Sequence, residues 1–133
     1  MEAIVEGVES IVILDTNIMI DFLQGREQAR LLFQGYREKA TLVMISIITV
    51  VEVLVGIFDL EKQKKVRVWL QSFQTVSVDP DIAHAAIELR QTFQLKVPDA
   101  LIMATAQYHQ GILVTRDRDF CRIPGVHYPY TLG

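Results

Sequence analysis

Four acidic residues stand where a carboxylate can do chemistry. Asp15 follows directly on the aliphatic run Ile11-Val-Ile-Leu, Asp117 lies two residues beyond Ile112-Leu-Val-Thr, and Asp99 follows Pro98 at a helix start. Ligands of open α/β sheets bind just beyond the carboxyl ends of the strands, which is where acids so placed would meet. Glu52 is the fourth. Its neighbours Val50, Val51, Val53, Leu54 and Val55 are all apolar, so no side of this helix is obviously solvated. A largely buried carboxylate needs a hydrogen bond, a partner or a metal, and no Lys or Arg lies between Lys39 and Lys62.

Each acid has a structural alternative. Asp15 can be a loop acid, Asp99 can answer a helix dipole, Asp117 can cap a short turn through Phe120, and Glu52 can pair with a distant arginine. Taken together, carboxylates that converge without thiols or a histidine pair suit a hard cation, Mg²⁺ or Mn²⁺. His84, His109 and His127 show no zinc-ligand spacing, and the single cysteine, Cys121, excludes a cysteine zinc site or an internal disulfide. Neither a glycine-rich phosphate loop nor a nucleophile elbow is present. The chemistry that best fits is phosphodiester hydrolysis by metal-activated water.

The elements that must position these acids alternate along the chain. Ile11–Leu14 reads as a buried parallel strand, followed by a helix from Thr16 through Phe22 that Gly25 ends. A second helix over 26–37 carries Ala29, Leu32 and Phe33 on one side. Leu42-Val-Met-Ile is a strand, and Ser46 caps a helix through residue 57. Residues 60–73 form an amphipathic helix with Val66, Trp69, Leu70 and Phe73 inward and a lysine-rich outer face. Val76-Ser-Val is a short strand. Helices then start at Pro80 and Pro98, the latter stopped by Gly111, before strands at Ile112–Thr115 and Val126–Tyr128. This order predicts a parallel sheet of four to five strands in an α/β/α sandwich.

The chain's 133 residues fit one domain, residues 11–133, behind a lead-in over 1–10. With 50% hydrophobic and 22% charged residues it is a folding sequence. A net charge of −3 argues against nucleic-acid binding by bulk positive charge, so any such contact needs a local basic rim or metal ions. Residues 40–58 are nearly long enough to span a bilayer, but Glu52 interrupts them and Ser46 divides them into strand and helix. The expectation is a protein of the reducing cytoplasm without a membrane segment or secretory signal.

Four blocks carry a family resemblance: Leu14-Asp-Thr-Asn, Ser46 through Gly56 around Glu52, Pro98-Asp-Ala-Leu-Ile-Met-Ala-Thr-Ala, and Leu113-Val-Thr-Arg-Asp-Arg-Asp-Phe. In this order, from about residue 11 to the C-terminus, they resemble the PIN domain, and above all the VapC-type toxin ribonucleases of prokaryotic toxin–antitoxin pairs. The resemblance implies that Asp15, Glu52, Asp99 and Asp117 hold one or two Mg²⁺ or Mn²⁺ ions. It also implies that Asp119 is a further, more variable acid, and that Thr16, Asn17 and Thr115 support the cluster by hydrogen bonds. Single-stranded RNA as substrate, a homodimer and inhibition by a small antitoxin follow from it in the same way. The lead-in before the first strand departs from many such toxins.

Arg116, Arg118 and Arg122 flank the acid loop and are candidates to hold the RNA strand. Lys62, Lys64, Lys65 and Arg67 read better as a solvated helix face. A dehalogenase-like phosphatase would want an aspartate at Asn17, and a receiver domain a lysine near Thr115. The alternative from another class is a PIN-like scaffold without nuclease activity, against which retention of all four acids argues.

Overall fold

The computed structural model describes residues 10–132. The lead-in expected over 1–10 therefore lies, except for Ser10, outside the described residues. Five strands form one sheet: β1 (Ile11–Leu14), β2 (Leu42–Ser46), β3 (Gln74–Val76), β4 (Ile112–Val114) and β5 (Val126–His127). Their order is β3-β2-β1-β4-β5 and every pairing is parallel. Six helices flank it: α1 (Thr16–Leu23), α2 (Glu27–Glu38), α3 (Ile47–Val55), α4 (Leu60–Leu70), α5 (Pro80–Phe93) and α6 (Val97–Tyr108). This is the α/β/α sandwich expected from the sequence.

Strand alternation sorts side chains into two cores. Ile13, Met44 and Leu113 point to one, shared with Ile82, Leu89, Ile102 and Met103 of α5 and α6. Val12, Leu14, Ile45 and Val114 point to the other, shared with Ile18 and Met19 of α1, Val53 of α3 and Val66 and Leu70 of α4. Both faces of the sheet are covered, which is why β1 reads as an unbroken aliphatic run. Each fully buried side chain such as Ile13 or Leu14 stabilises the fold by about 1.5–3 kcal/mol relative to exposure.

Caps fix where helices begin. Ser46 accepts from the Ile48 N–H at 3.0 Å, as expected, and Asp59 and Asp79 accept from Lys62 and Ile82. Each such cap contributes about 1 kcal/mol. Because Ser46 ends β2 and caps α3, the apolar run 40–58 bends there. Among the described residues no helix is long and apolar enough to cross a membrane.

Several boundaries differ from expectation, among them the end of α3, at Val55 and not residue 57. The third strand is Gln74–Val76, two residues earlier than Val76–Val78, because its register with β2 pairs Met44 with Gln74 and Ser46 with Val76. It is an edge strand, so exposed Gln74 and Thr75 cost it nothing that an apolar pattern would reveal. Helix α4 ends at Leu70, yet Phe73 still meets the Trp69 ring edge-on with centroids 5.2 Å apart. After α6, the left-handed residue is Gln110 (φ 55°), not Gly111. Gly111 is needed for space instead: a Cβ there would lie 2.5 Å from Ile13 Cδ1 and 3.1 Å from the Ile11 carbonyl oxygen.

The chain runs from β1 outward through β2 to β3, then returns by α5 and α6 to place β4 on the other side of β1. The β1–β4 boundary is thus the switch point of the sheet, and its carboxyl edge is where a ligand crevice opens.

Candidate metal and active site

Asp15 stands at that boundary, 3% exposed. Its backbone N–H donates to the Val114 carbonyl at 2.9 Å, which extends the β1–β4 pairing by one residue. Its carboxylate accepts from the Thr16 N–H at 2.7 Å, capping α1, from the Thr115 hydroxyl at 2.7 Å and from Asn17 Nδ2 at 3.3 Å. Thr115 Oγ1 also accepts from Asn17 Nδ2 at 3.1 Å and from the Asp117 N–H at 3.0 Å. Asp15, Asn17 and Thr115 therefore form one network joining both sides of the switch point. Burial pushes the Asp15 carboxyl above its ordinary range, against the lowering effect of the Thr115 and Thr16 hydrogen bonds, with Glu52 and Asp117 adding repulsion.

Glu52 approaches from α3. Its Oε1 accepts from the Thr16 hydroxyl at 2.7 Å, and that hydroxyl lies 3.2 Å from the Thr49 hydroxyl. The expectation that α3 has no solvated side needs correction: Val51 and Val55 are 58% and 69% exposed, and Glu52 is half-buried. The helix is apolar because its outer face is apolar too, not because it is sealed. Among the described residues Glu52 makes no salt bridge, so the distant arginine is not its partner.

Asp99, in the first turn of α6, and Asp117 and Asp119, around a 3₁₀ turn at Arg118–Phe120, complete the cluster. One carboxylate oxygen from each of the three lies within 4.8 Å of the others. Asp117 does cap the turn, through the Asp119 N–H at 2.9 Å, so its capping and clustering roles coexist. The Asp99 carboxyl is pushed up to about 6, by burial first and then by Asp15, Asp117 and Glu52, with Lys96 opposing. Asp15 and Glu52 thus act on Asp99 by charge, while the carboxylate oxygens that come together are those of Asp99, Asp117 and Asp119.

The donor set fits a hard divalent cation. It consists of carboxylate oxygens, it repels itself, and among the described residues no Lys or Arg side chain forms a salt bridge with any member.

The PIN domain model matches residues 12–126 of this chain, a span that holds both sides of the switch point and all five acids. The chain belongs to the PIN domain family. A chain of a toxin–antitoxin complex from Klebsiella pneumoniae is 40% identical to it with a TM-score of 0.82, the match covering 91% of this chain and 99% of that one. Two further solved structures share the fold. One is VapBC2 from Rickettsia felis bound to a DNA fragment from their promoter, at 21% identity, TM-score 0.75 and coverage of 87% and 95%. The other is DNA-bound VapBC from Salmonella typhimurium, at 23% identity, TM-score 0.73 and coverage of 88% and 95%. These neighbours accord with the VapC-type resemblance read from the sequence. No curated protein matches the chain.

Of the arginines expected to face a strand in this PIN domain, Arg116 is already engaged. Its guanidinium donates to both oxygens of Asp21 at 2.6 and 2.9 Å. Arg118 is exposed, its guanidinium 4.2 Å from the centre of the Tyr128 ring, and Arg122 is exposed at 5.7 Å from the Phe93 ring. Lys62, Lys64, Lys65 and Arg67 are exposed on α4, in keeping with a solvated face. Sequence reasoning missed Asp21, Thr49, Tyr128 and Tyr130. Asp21 carried the same signal as Glu52, an acid between the apolar Ile20 and Phe22. The tyrosines carried none, because only tertiary structure brings the tail to the loop.

The PIN domain also has a largely apolar groove. A hollow of about 470 Å³ is lined by Phe22, Phe33, Tyr36, Trp69 and Phe73, with the Phe22 and Trp69 rings stacked 5.2 Å apart. No acidic side chain lines it.

Proposed function

We propose that this PIN domain is a Mg²⁺- or Mn²⁺-dependent endoribonuclease that cuts single-stranded RNA, and that it is the toxin of a type II toxin–antitoxin pair in the cytoplasm. The observation that supports the catalytic reading is the acid cluster: Asp99, Asp117 and Asp119 share one small volume, and Asp15 and Glu52 add charge to it. Asp15, Glu52, Asp99 and Asp117 hold the ion, with Asp119 a further ligand to it or its water. When bound, the ion would supply positive charge against the reacting phosphate and lower the pKa of a water, so that it could lose a proton and serve as the nucleophile toward phosphorus.

The chain's own residues orient the site. Thr115 and Asn17 aim the Asp15 carboxylate, and Thr16 aims Glu52. Arg118 and Arg122 are the cations left to hold the strand, since Asp21 occupies Arg116. The partner reading, a cognate antitoxin, rests on the similarity to the Klebsiella complex. A homodimer would cover part of the apolar surface formed by Val51, Val55, Phe58 and Leu60.

Cleavage of end-labelled single-stranded RNA with Mg²⁺, beside the same reaction with chelator and with Asp99→Asn, tests the reading. Cutting that needs both metal and Asp99 is expected. A wild-type chain that binds no Mn²⁺ in titration would instead be a scaffold.

A further inference from the structure

Asp21 is a buried carboxylate, 2% exposed, to which the proposed chemistry gives no task. Its donors come from two places. Arg116 donates to it through Nε and Nη2 at 2.6 and 2.9 Å, and the Tyr130 hydroxyl at 2.9 Å. Arg26 Nε lies 3.7 Å away. Arg116 is also tied to α1 by its backbone, whose N–H donates to Asn17 Oδ1 at 3.1 Å. Asn17 and Asp21 stand four residues apart, on one face of the helix. Arg116 is therefore gripped at its main chain and at its guanidinium by successive turns of α1.

Residue 116 lies between Thr115, which orients Asp15, and Asp117 itself. From the other side comes the C-terminal tail. The Tyr128 hydroxyl donates to the Asp117 carbonyl at 3.0 Å, the Tyr128 ring stacks on Arg118, and Tyr130 reaches Asp21. The loop that carries Asp117 is thus held between α1 and residues 128–130. An ion pair kept for stability alone is a poor choice, because apolar residues of similar volume often do as well or better. A functional carboxylate, by contrast, must be held to within about 0.5 Å of its working position.

We propose that Asp21, Arg116, Tyr128 and Tyr130 form a clamp that positions Asp117 in the acid cluster, so that the C-terminal tail is part of the metal site's support. The proposal rests on the metal-site reading above for its consequence, though not for its geometry. Asp21 and the two tyrosines are positioning residues; none touches the reacting atoms.

The test compares the full chain with Tyr128→Phe, Tyr130→Phe and Asp21→Asn. Metal-free amide hydrogen exchange at residues 115–119 is measured well below the melting temperature, and Mn²⁺ affinity is measured by electron paramagnetic resonance of the free ion. Faster exchange at the Arg116 and Asp117 amides is expected, with exchange in α5 unchanged, and Mn²⁺ binding weaker by about 10–100-fold, as for other groups that orient metal ligands. Should Asp21→Asn fail to fold, Tyr128→Phe, which removes only one hydroxyl, decides. Variants that melt lower yet keep wild-type loop exchange and Mn²⁺ affinity would show the cluster to be ordinary packing and overturn the clamp. A wild-type chain that binds no Mn²⁺ would sink the metal-site reading, and the exchange rates would then judge the clamp alone.

Discussion

The Thr115 hydroxyl donates to Asp15 Oδ2 at 2.7 Å, joining residues 100 positions apart across the switch point of the sheet. The bond fixes Oδ2 of Asp15, while Oδ1 accepts from the Thr16 N–H at 2.7 Å. Replacing Thr115 by Val keeps the shape and removes the donor. The buried carboxylate then loses a stabilising hydrogen bond, at a cost of about 1–3 kcal/mol. The expected result of Thr115→Val is a folded chain with a lower melting temperature and Mn²⁺ binding weakened by about 10–100-fold. Calorimetric titration checks it, and unchanged Mn²⁺ affinity would remove Thr115 from the support of the site.

Stability of the metal-free protein should fall as pH rises through the window between 3.8, the ordinary value of Asp99, and about 6, its value in the fold. In that window the folded state binds a proton that the unfolded chain has released, so lowering the pH favours folding. Asp15 is raised in the same direction. Asp99→Asn should flatten part of this dependence, raise the metal-free melting temperature at pH 7, and lose most of the gain that saturating Mn²⁺ gives the wild type. Melts from pH 4 to 7.5 with and without Mn²⁺ read all three. A variant that keeps the full Mn²⁺ shift is not missing a ligand.

Glu52→Gln should abolish RNA cleavage and leave the metal-free fold intact or steadier. Its partner is the Thr16 hydroxyl, which can donate to the amide oxygen of Gln as it does to the carboxylate, and among the described residues no cation is stranded by the change. A structural ion pair broken in this way would cost about 3–5 kcal/mol. Thermal melts beside a cleavage assay separate the two, and a variant that melts far lower yet still cuts would end the catalytic assignment of Glu52.

Gly111→Ala is expected to destabilise by about 1–3 kcal/mol through overpacking, although φ there is unremarkable. The new methyl would press on the Ile13 side chain and the backbone of Ile11. Urea unfolding measures the loss. Ile13→Val should recover part of it in the double variant, and additive costs would place the strain elsewhere.

The sequence by itself determined the elements and the identities of the acids. Strand alternation with helices, the Ser46 cap and aliphatic runs ending at acids are local signals, set by backbone hydrogen bonding and by burial of both sheet faces. They were enough to predict the parallel sandwich and to single out Asp15, Glu52, Asp99 and Asp117. Tertiary structure decided what those residues meet. The short edge strand β3 takes its register from β2, not from its own residues, so its position was not legible. The exposure of Val51 and Val55 and the crowding that raises Asp99 depend on which elements pack nearby. So do the pairing of Arg116 with Asp21 and the reach of Tyr128 and Tyr130 to the Asp117 loop. The physical reason is range: propensity and periodicity act over a few residues, whereas a side chain's partners, and hence its charge state, are fixed only when distant segments close on it.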